Sequence, residues 1–276
     1  MAYSYSEKNQ NMLKKITWIQ EWLVLVCWWT WSWKTTTLYA LLNEFDPNVS
    51  SIFTLEDPIE YQIDWYIQSQ IKTVRSSSDK NNSYTFSEGL IWILRQDPDV
   101  IMIWEIRRKE EAQTCLEAAN TGHIVMWTIH SNNAISVITR IRQLWVDSYL
   151  LASWLKYIIS QKMMKSLCEH CKIKTQVEKN ILPEIFRRYI DEDMINVYKS
   201  NPTGCEKCNK WYQWAIVLSE IADIDDEMYN FLLANAGETE IKEYLLTKWF
   251  VPFYIDALYK ALDWTVNIAD IFDLEY

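Results

Sequence analysis

The chain has 276 residues, 49% of them hydrophobic, so it can bury one large core or two to three smaller ones. Its net charge of −10 argues against a general nucleic-acid-binding protein. The polar segment Met1–Lys15 does not have the apolar run of a signal peptide, and the longest apolar run, Trp22–Trp29, is too short to span a bilayer. We therefore expect a cytoplasmic protein.

The first structural signal along the chain is an apolar run followed by a loop and a helix. Leu23–Cys27 is typical of a buried parallel strand, and Lys34–Phe45 is typical of a helix. Residues 28–35 read W-W-T-W-S-W-K-T, which has the spacing of the phosphate-binding motif G-x-x-x-x-G-K-[ST]. Trp28 and Trp33 stand where that motif has its two glycines. The strand, loop and helix are the context that the motif requires.

This loop predicts a nucleotide-phosphate site. In the motif, Lys34 contacts the β- and γ-phosphates, Thr35 holds Mg²⁺, and the backbone amides of residues 30–35 surround the phosphates at the start of a helix. Tryptophan does not tolerate positive φ and covers the backbone, so the loop as written is not expected to bind phosphate. The candidate nucleotide-binding residues are Trp28, Thr30, Trp31, Ser32, Trp33, Lys34, Thr35 and Thr36.

Tryptophan also stands elsewhere in the chain at positions that favour glycine. The 16 tryptophans and 4 glycines together make up about 7% of the residues, which is the usual share of glycine alone. Several tryptophans stand where a turn or a helix end favours glycine: Trp65, Trp145, Trp249 and Trp264. Our hypothesis is that the gene uses UGA as a glycine codon and that these codons are read here as tryptophan. The alternative is that the tryptophans are genuine and the loop is inactive.

The next part of the chain alternates strands and helices, which predicts a parallel α/β sheet. Thr85-Phe86-Ser87-Glu88 has the pattern of a capping box that opens a helix. The polar segment Arg75–Ser83 is predicted to be a loop. The predicted strands are 51–55, short strands within 61–72 with a turn at Trp65, 99–104 and 123–128, and the predicted helices are 85–95, 109–120, 133–144 and 148–165.

The character of the sequence changes after Lys165. Two C-x-x-C pairs, Cys168/Cys171 and Cys205/Cys208, flank a charged insert that we predict to be helical over 181–198. A strand is predicted at 216–221, followed by three or four short amphipathic helices. We therefore expect three domains, with boundaries at 1–165, 166–221 and 222–276.

Two further patterns predict chemistry. The apolar strand Asp99–Trp104 delivers Glu105 to its carboxyl end, where the carboxylate can orient or deprotonate a water molecule. The paired cysteines predict a structural zinc site with the ligands Cys168, Cys171, Cys205 and Cys208, because four thiolates from two short loops form a closed tetrahedral site.

Four blocks of the sequence together resemble the secretion ATPase superfamily, the hexameric motors of type II secretion and type IV pilus assembly. The blocks are the phosphate loop, the acidic segment LEDPIEY at 55–61, LRQDPDVIMIWEIR at 94–107, and the histidine segments TGH at 121–123 and TIHSN at 128–132. Trp22, Trp28, Trp31, Trp33, Trp65 and Trp104 stand at positions where this family usually has glycine. Arg108 departs from the family, which usually has Asp there.

The resemblance implies roles for individual residues. Glu56 would be a second catalytic carboxylate that positions Mg²⁺ and water, although Glu-Asp-Pro is also good chemistry for a surface turn. His123 and His130 would couple nucleotide state to subunit contacts, or be ordinary core or interface histidines. Arg95 and Arg107 would serve the phosphates or a subunit interface, or form solvent-facing salt bridges.

The resemblance also implies the fold and the function. We expect a RecA-like ATPase core with a zinc subdomain and a small helical end, and ATP, Mg²⁺ and Zn²⁺ as ligands. The expected assembly is a hexameric ring on an inner-membrane platform protein, at the cytoplasmic face of that membrane and without specific nucleic acid. A tetracysteine element marks the secretion and pilus-extension members.

Family motors also have an N-terminal domain that completes the nucleotide site. About 20 residues precede the first predicted strand, so we expect this chain alone to hydrolyse ATP poorly. Two other functions stay open. One is a nucleic-acid translocase of the same motor class, and the other is an inactive, zinc-stabilised assembly subunit, which follows if the tryptophans are genuine.

Overall fold

The computed structural model describes residues 7–16, 22–28, 34–72, 84–209, 211–248 and 250–274. The helices are α1 (Glu7–Ile16), α2 (Lys34–Leu42), α3 (Phe86–Ile93), α4 (Lys109–Asn120), α5 (Ala134–Arg142), α6 (Ser148–Trp154), α7 (Glu184–Arg187), α8 (Asp226–Leu233), α9 (Glu238–Thr247) and α10 (Phe253–Leu262). The strands are β1 (Trp22–Trp28), β2 (Ile52–Glu56), β3 (Ile67–Gln70), β4 (Val100–Ile103), β5 (Ile124–His130), β6 (Leu155–Leu167), β7 (Ile173–Glu178), β8 (Met194–Lys199) and β9 (Tyr212–Asp223). Lys179–Ile181 and Ile268–Asp273 are 3₁₀ helices.

Seven strands form one sheet in the order β3-β2-β4-β5-β1-β6-β9. The strands from β3 to β1 pair in parallel along this order. The register sets Trp28 beside His130 and Leu55 beside Ile103, so the carboxyl ends of β1, β5, β2 and β4 lie along one edge. Ligands bind at this edge in open α/β sheets. The predicted mixed α/β fold with a parallel sheet is confirmed.

Strand β1 shows why its sequence is continuously apolar. Leu23, Leu25 and Cys27 pack in one buried cluster, whereas Val24 and Val26 pack in another. Because successive side chains of a strand point to opposite faces, both faces of the sheet are covered at β1. Each residue of the strand therefore has to be apolar.

The chain folds as two compact units. One comprises Asn11–Ser160 and Ile221–Phe250 and holds the parallel part of the sheet. The other comprises Met1–Gln10, Gln161–Glu220 and Val251–Tyr276. These units divide the chain differently from the three sequence segments 1–165, 166–221 and 222–276, and that three-part division stays a prediction.

The second unit has its own core and a buried ion pair within it. Strands β7 and β8 form a two-stranded antiparallel sheet, and the buried residues of β8 pack with those of α10. Lys260 Nζ lies 2.6 Å from Asp256 Oδ2 and 2.7 Å from the carbonyl oxygen of Val217. The same Asp256 oxygen accepts the backbone N–H of Ser219 at 2.9 Å. Burial raises the pKa of Asp256, and the facing ammonium group opposes that rise.

Several local predictions are confirmed. The helix that starts after Thr85 has the predicted capping box, because the Thr85 hydroxyl accepts from the backbone N–H of Glu88 and the Glu88 carboxylate accepts from that of Thr85. The predicted run of short helices after Asp225 is also observed, as α8, α9, α10 and the last 3₁₀ helix.

The prediction of one helix over 148–165 is wrong, because α6 ends at Trp154 and β6 follows directly. Leu155 and Ile158 pack in one core cluster, whereas Tyr157 and Ile159 pack in the other. A strand buried on both faces has a dense apolar pattern that resembles the stripe of a helix. Aromatic and β-branched residues favour the strand at this point.

The helical insert predicted over 181–198 is also wrong. The segment contains the four-residue helix α7 and then β8, which pairs antiparallel with β7. Ile195 and Val197 are buried, whereas Met194 and Asn196 are exposed. This alternation is typical of a strand with one solvated face, and the high charge of the insert hid it.

Three tryptophans have the backbone conformation that glycine favours. In the described ranges, φ is positive at five residues other than glycine, which are Asp97, Trp145, Trp211, Asn235 and Trp264. Trp264 follows α10 in a helix-ending motif, because its N–H donates to Ala261 and the N–H of Thr265 donates to the carbonyl of Lys260. Trp145 and Trp264 were both predicted at glycine positions after helices, and their left-handed φ values of 55° and 65° agree with that prediction. Trp65 lies in an exposed turn without a left-handed φ.

Candidate nucleotide site and cysteine cluster

The backbone on both sides of the predicted phosphate loop has the expected form. Strand β1 ends at Trp28 and α2 begins at Lys34, so five residues separate a buried parallel strand from a helix at the carboxyl edge of the sheet. Thr36 lies in the first turn of α2 and is half-buried. The predicted residues Thr30, Trp31, Ser32 and Trp33, and the side chains of Trp28, Lys34 and Thr35, lie outside the described part of the chain.

Glu105 lies at the carboxyl end of β4 between two basic side chains. Its carboxylate accepts from Arg107 Nη2 at 2.5 Å and lies 3.3 Å from His130 Nε2. Glu105 is only 8% exposed, whereas the side chains of Arg107 and His130 are 72% and 47% exposed. The hydrogen bond with Glu105 raises the pKa of the Arg107 guanidinium above its ordinary value.

Two contacts fix the backbone beside Glu105. The N–H of Ile106 donates to the carbonyl of Thr128, and the Thr128 hydroxyl donates to the carbonyl of Trp104. Both contacts attach this segment to β5, whose last residue, His130, pairs with Trp28. The structure therefore brings Glu105, Arg107 and His130 together at the point where β1 leads into the phosphate loop.

Glu56 ends β2 at the same edge of the sheet but is fully buried, at 0% exposure. Its Oε2 accepts from the Tyr39 hydroxyl at 2.5 Å. Its Oε1 accepts from the Thr54 hydroxyl at 2.6 Å and from Gln68 Nε2 at 3.0 Å. Burial, together with the adjacent carboxylate, raises the pKa of Tyr39. Glu56 is therefore not part of an exposed turn, since hydroxyl and amide groups hold it inside the protein.

His123 and Arg95 are not brought to this cluster. His123 precedes β5, at the amino end of the strand, about 20 Å from His130 at about 3.3 Å per residue. Its Nδ1 lies 2.9 Å from the carbonyl oxygen of Ala118 and 3.0 Å from the Thr121 hydroxyl. Arg95 is exposed, in the segment between α3 and β4, and its guanidinium carbon lies 5.9 Å from the Trp92 ring centroid. Roles for these two residues stay predictions.

The partners of Glu56 were missed by sequence reasoning. Thr54 precedes Glu56 by two residues in the same strand, and it pairs in register with Gln68 of β3. The period-2 spacing of Thr54 and Glu56 is a signal that the sequence contained. Tyr39 had no such signal, because its approach depends on how α2 packs on the sheet.

The four paired cysteines converge in the second unit. Their sulfur atoms all lie within 4.8 Å of one another. The distances between Cys168 and Cys205 and between Cys171 and Cys208 are 3.8 Å, and Cys205 and Cys208 are 3.7 Å apart. A tetrahedral ion with metal–sulfur bonds of about 2.3 Å separates its sulfur ligands by about 3.8 Å. The donor set and its spacing therefore fit a metal ion, and the sulfurs are too far apart for disulfides.

Among the helices of the described residues, none combines the length and the apolarity needed to cross a membrane.

Fold and site together define an α/β protein in which a buried parallel strand and a helix flank the predicted phosphate loop, with a four-cysteine cluster in the second unit. Residues 1–271 match the family model described as type II/IV secretion system protein. The chain belongs to this family.

Two relatives and one solved structure illustrate the similarity. The chain is 37% identical over 224 residues to a type II secretion system ATPase E of Vibrio cholerae, covering 81% of this chain and 42% of that protein. It is 32% identical over 243 residues to the type IV pilus assembly ATPase PilB of Thermus thermophilus, covering 88% of this chain and 26% of that protein. The ATPase DotB of Legionella pneumophila has a similar fold, with a TM-score of 0.68 and 19% identity over 95% of this chain and 62% of that chain. This chain thus spans less than half of the length of either relative.

Proposed function

We propose that this chain is the ATPase part of a motor that powers assembly of a type IV pilus or a type II secretion pseudopilus. The observation that carries the proposal is the cluster of Glu105, Arg107 and His130 at the end of the phosphate-loop strand. The family membership and the names of the relatives support the same function. In this proposal the parallel sheet is a RecA-like core, residues 166–221 are a zinc subdomain and residues 222–276 are a helical end.

The residues have distinct tasks in ATP hydrolysis. Lys34 and the amides at the start of α2 would bind the phosphates, and Thr35 would hold Mg²⁺, which neutralises phosphate charge when bound. Glu56, whose oxygens are already hydrogen-bonded inside the protein, would support this site from the end of β2. Glu105 orients the attacking water and accepts its proton. Arg107 supplies a counter-charge to that carboxylate, and His130 links it to the end of β5.

The proposed function requires glycine in place of three tryptophans of the predicted phosphate loop. Tryptophan has no access to positive φ without strain and covers the backbone N–H groups that phosphate needs, so we infer that the natural protein has glycine at positions 28, 31 and 33. The masses of tryptic peptides that span residues 22–34, taken from the native organism, test this inference directly. TGG codons at the three positions would contradict it.

The activity is tested on the glycine form, in which these three tryptophans are replaced by glycine. We expect it to hydrolyse Mg-ATP slowly but measurably, and we expect Lys34→Ala to remove at least 99% of that activity, because a phosphate ligand is worth several kcal/mol in the transition state. Lys199→Ala, which changes an exposed lysine of β8, is the matched control. Equal activity of the Lys34→Ala variant and the parent would refute the site assignment.

We further propose that the motor is a hexameric ring at the cytoplasmic face of the inner membrane, bound to a membrane platform protein. The names of the relatives as secretion and pilus ATPases support this. The mass of the glycine form by light scattering, with and without Mg-ATP, tests the assembly. A monomer under both conditions and at all protein concentrations would argue against a ring formed by this chain.

The metal of the cysteine cluster is proposed to be zinc. Its support is the sulfur spacing of 3.7–3.8 Å and the set of four thiols from two C-x-x-C pairs. Metal analysis of the purified protein should find one zinc per chain, and Cys205→Ser should lose it. Cys115→Ser is the control, because Cys115 is a buried lone cysteine of the other unit. Zinc retained in full by Cys205→Ser would contradict this ligand set.

A further inference from the structure

A network of hydrogen bonds joins the phosphate-loop helix to the acidic end of β2. Tyr39 lies on α2, five residues after Lys34, and is only 6% exposed. Its hydroxyl supplies the hydrogen bond to Glu56 Oε2, whereas Thr54 and Gln68 share Oε1. Each carboxylate oxygen is therefore held from a different side.

The network extends to the edge strand of the sheet. Gln68 Nε2 also lies 3.0 Å from the carbonyl oxygen of Tyr61 and 3.2 Å from the Tyr39 hydroxyl. Gln68 Oε1 accepts the backbone N–H of Ile63 at 2.8 Å. Gln68 thereby holds the segment after β2 against the carboxylate, which adds rigidity to its surroundings.

The hydrogen bond from Tyr39 is strong enough to determine the position of the Glu56 carboxylate. Hydrogen bonds to an ionised acceptor are shorter and stronger than those between neutral groups. When a buried carboxylate loses one such donor, the freed oxygen is left without a hydrogen bond, which is energetically costly. The carboxylate can avoid this cost only by turning toward another donor. Removal of the Tyr39 hydroxyl is therefore expected to shift Glu56 relative to α2.

We propose that Tyr39 is a positioning residue, whose hydroxyl fixes the Glu56 carboxylate relative to helix α2 and thereby sets the rate of hydrolysis. The inference rests on the proposed function, because it assigns Tyr39 a role in that reaction. Tyr39 itself need not touch the nucleotide.

The test compares Tyr39→Phe with Tyr66→Phe in the glycine form of the full chain. Tyr66 is a matched control, because its ring lies 6.4 Å from that of Tyr39 and its hydroxyl donates to Asn43 Oδ1 at 2.7 Å, not to Glu56. We expect Tyr39→Phe to lower kcat about tenfold, with the KM for Mg-ATP changed less than about twofold. Tyr66→Phe should leave kcat within about twofold of the parent.

A double-mutant cycle distinguishes positioning from a general loss of structure. If Tyr39 acts through Glu56, then adding Tyr39→Phe to Glu56→Gln should lower kcat no further than Glu56→Gln alone. Thr54→Val removes a second donor and suits a strand position, and it should also lower kcat at unchanged KM. Independent, multiplicative losses in the cycle would overturn the proposal.

The outcomes separate this proposal from the proposed function. If the parent hydrolyses ATP and Lys34→Ala stops it, but Tyr39→Phe and Thr54→Val both match Tyr66→Phe, only the positioning role is overturned. If Lys34→Ala is as active as the parent, the site assignment fails, and the positioning role that depends on it fails as well.

Discussion

The left-handed tryptophans allow a sharp test of whether these positions are built for glycine. The perturbation is a pair of substitutions at one site, Trp145→Gly and Trp145→Ala. Trp145 follows α5, has a φ of 55° and is 79% exposed. Both substitutions remove the same indole ring, so the contacts that the ring makes cancel in the comparison between them.

The remaining difference comes from the backbone. The left-handed conformation destabilises the folded protein by about 1–2 kcal/mol when the residue has a Cβ atom, and glycine avoids this cost. Against this, ordering the backbone of glycine on folding costs about 0.5–1 kcal/mol more free energy than ordering that of alanine. We therefore expect Trp145→Gly to be more stable than Trp145→Ala by up to about 1.5 kcal/mol, and each kcal/mol shifts the thermal midpoint of a chain of this size by about 2–4 °C.

Trp92 supplies the control, because it lies in α3 of the same compact unit and is also largely exposed. In a helix alanine is favoured over glycine by about 1 kcal/mol. The order of stability should therefore reverse, with Trp92→Ala above Trp92→Gly. Thermal unfolding of the four variants measures both differences, and a Trp145→Ala protein at least as stable as Trp145→Gly would refute the backbone argument.

Two further predictions concern charged groups in the two units. Lys260→Met leaves the Asp256 carboxyl buried without its partner, so we expect the free energy of unfolding to fall by about 3–5 kcal/mol. Adding Asp256→Leu should restore most of it. Urea titrations that show equal losses for the single and the double variant would contradict this. At Asp225, burial alone would raise the pKa, but hydrogen bonds from Tyr244 and other donors lower it below 3.8 overall. The stability from this group is complete above that pH and is lost as the pH falls through the folded pKa, so Asp225→Asn should flatten the acid end of the stability profile, as followed by circular dichroism.

Local signals explain what could be predicted from the sequence. The strand and helix around the phosphate loop, the capping box at Thr85 and the paired cysteines each depend on a few residues close together in the chain. Such patterns hold in any tertiary context because the partners are already neighbours. The same reasoning located two of the three left-handed tryptophans, Trp145 and Trp264.

The failures have a common physical cause. Residues 155–167 form a strand because they can pair with the edge of β1 in the sheet. The sequence of the segment alone does not reveal this pairing. The insert between the cysteine pairs forms the β7–β8 hairpin because one face of β8 packs against the core of its own unit. In both cases tertiary packing decided between two elements that the pattern allowed.

The site was predictable to the level of strand ends but not of side-chain partners. The position of Glu105 after an apolar strand followed from the sequence, and its pairing with Arg107 follows from their closeness in the chain. The pairing with His130 depends on the register between β4 and β5. His123 seemed equivalent to His130 in the sequence, but the two residues lie at opposite ends of one strand, where they meet different surroundings.

The two acidic residues at this sheet edge have environments that suit them to different tasks. Glu105 faces two exposed basic groups, Arg107 and His130, so a proton that it accepts from water has a short route to the surface. Glu56 is enclosed by hydroxyl and amide donors, which hold its carboxylate in one place. We therefore expect Glu105→Gln to abolish hydrolysis while nucleotide still binds, because the acceptor of the proton is lost. Glu56→Gln should slow hydrolysis less, since the amide keeps the shape of the side chain and its one oxygen still accepts part of the hydrogen bonding at the end of β2.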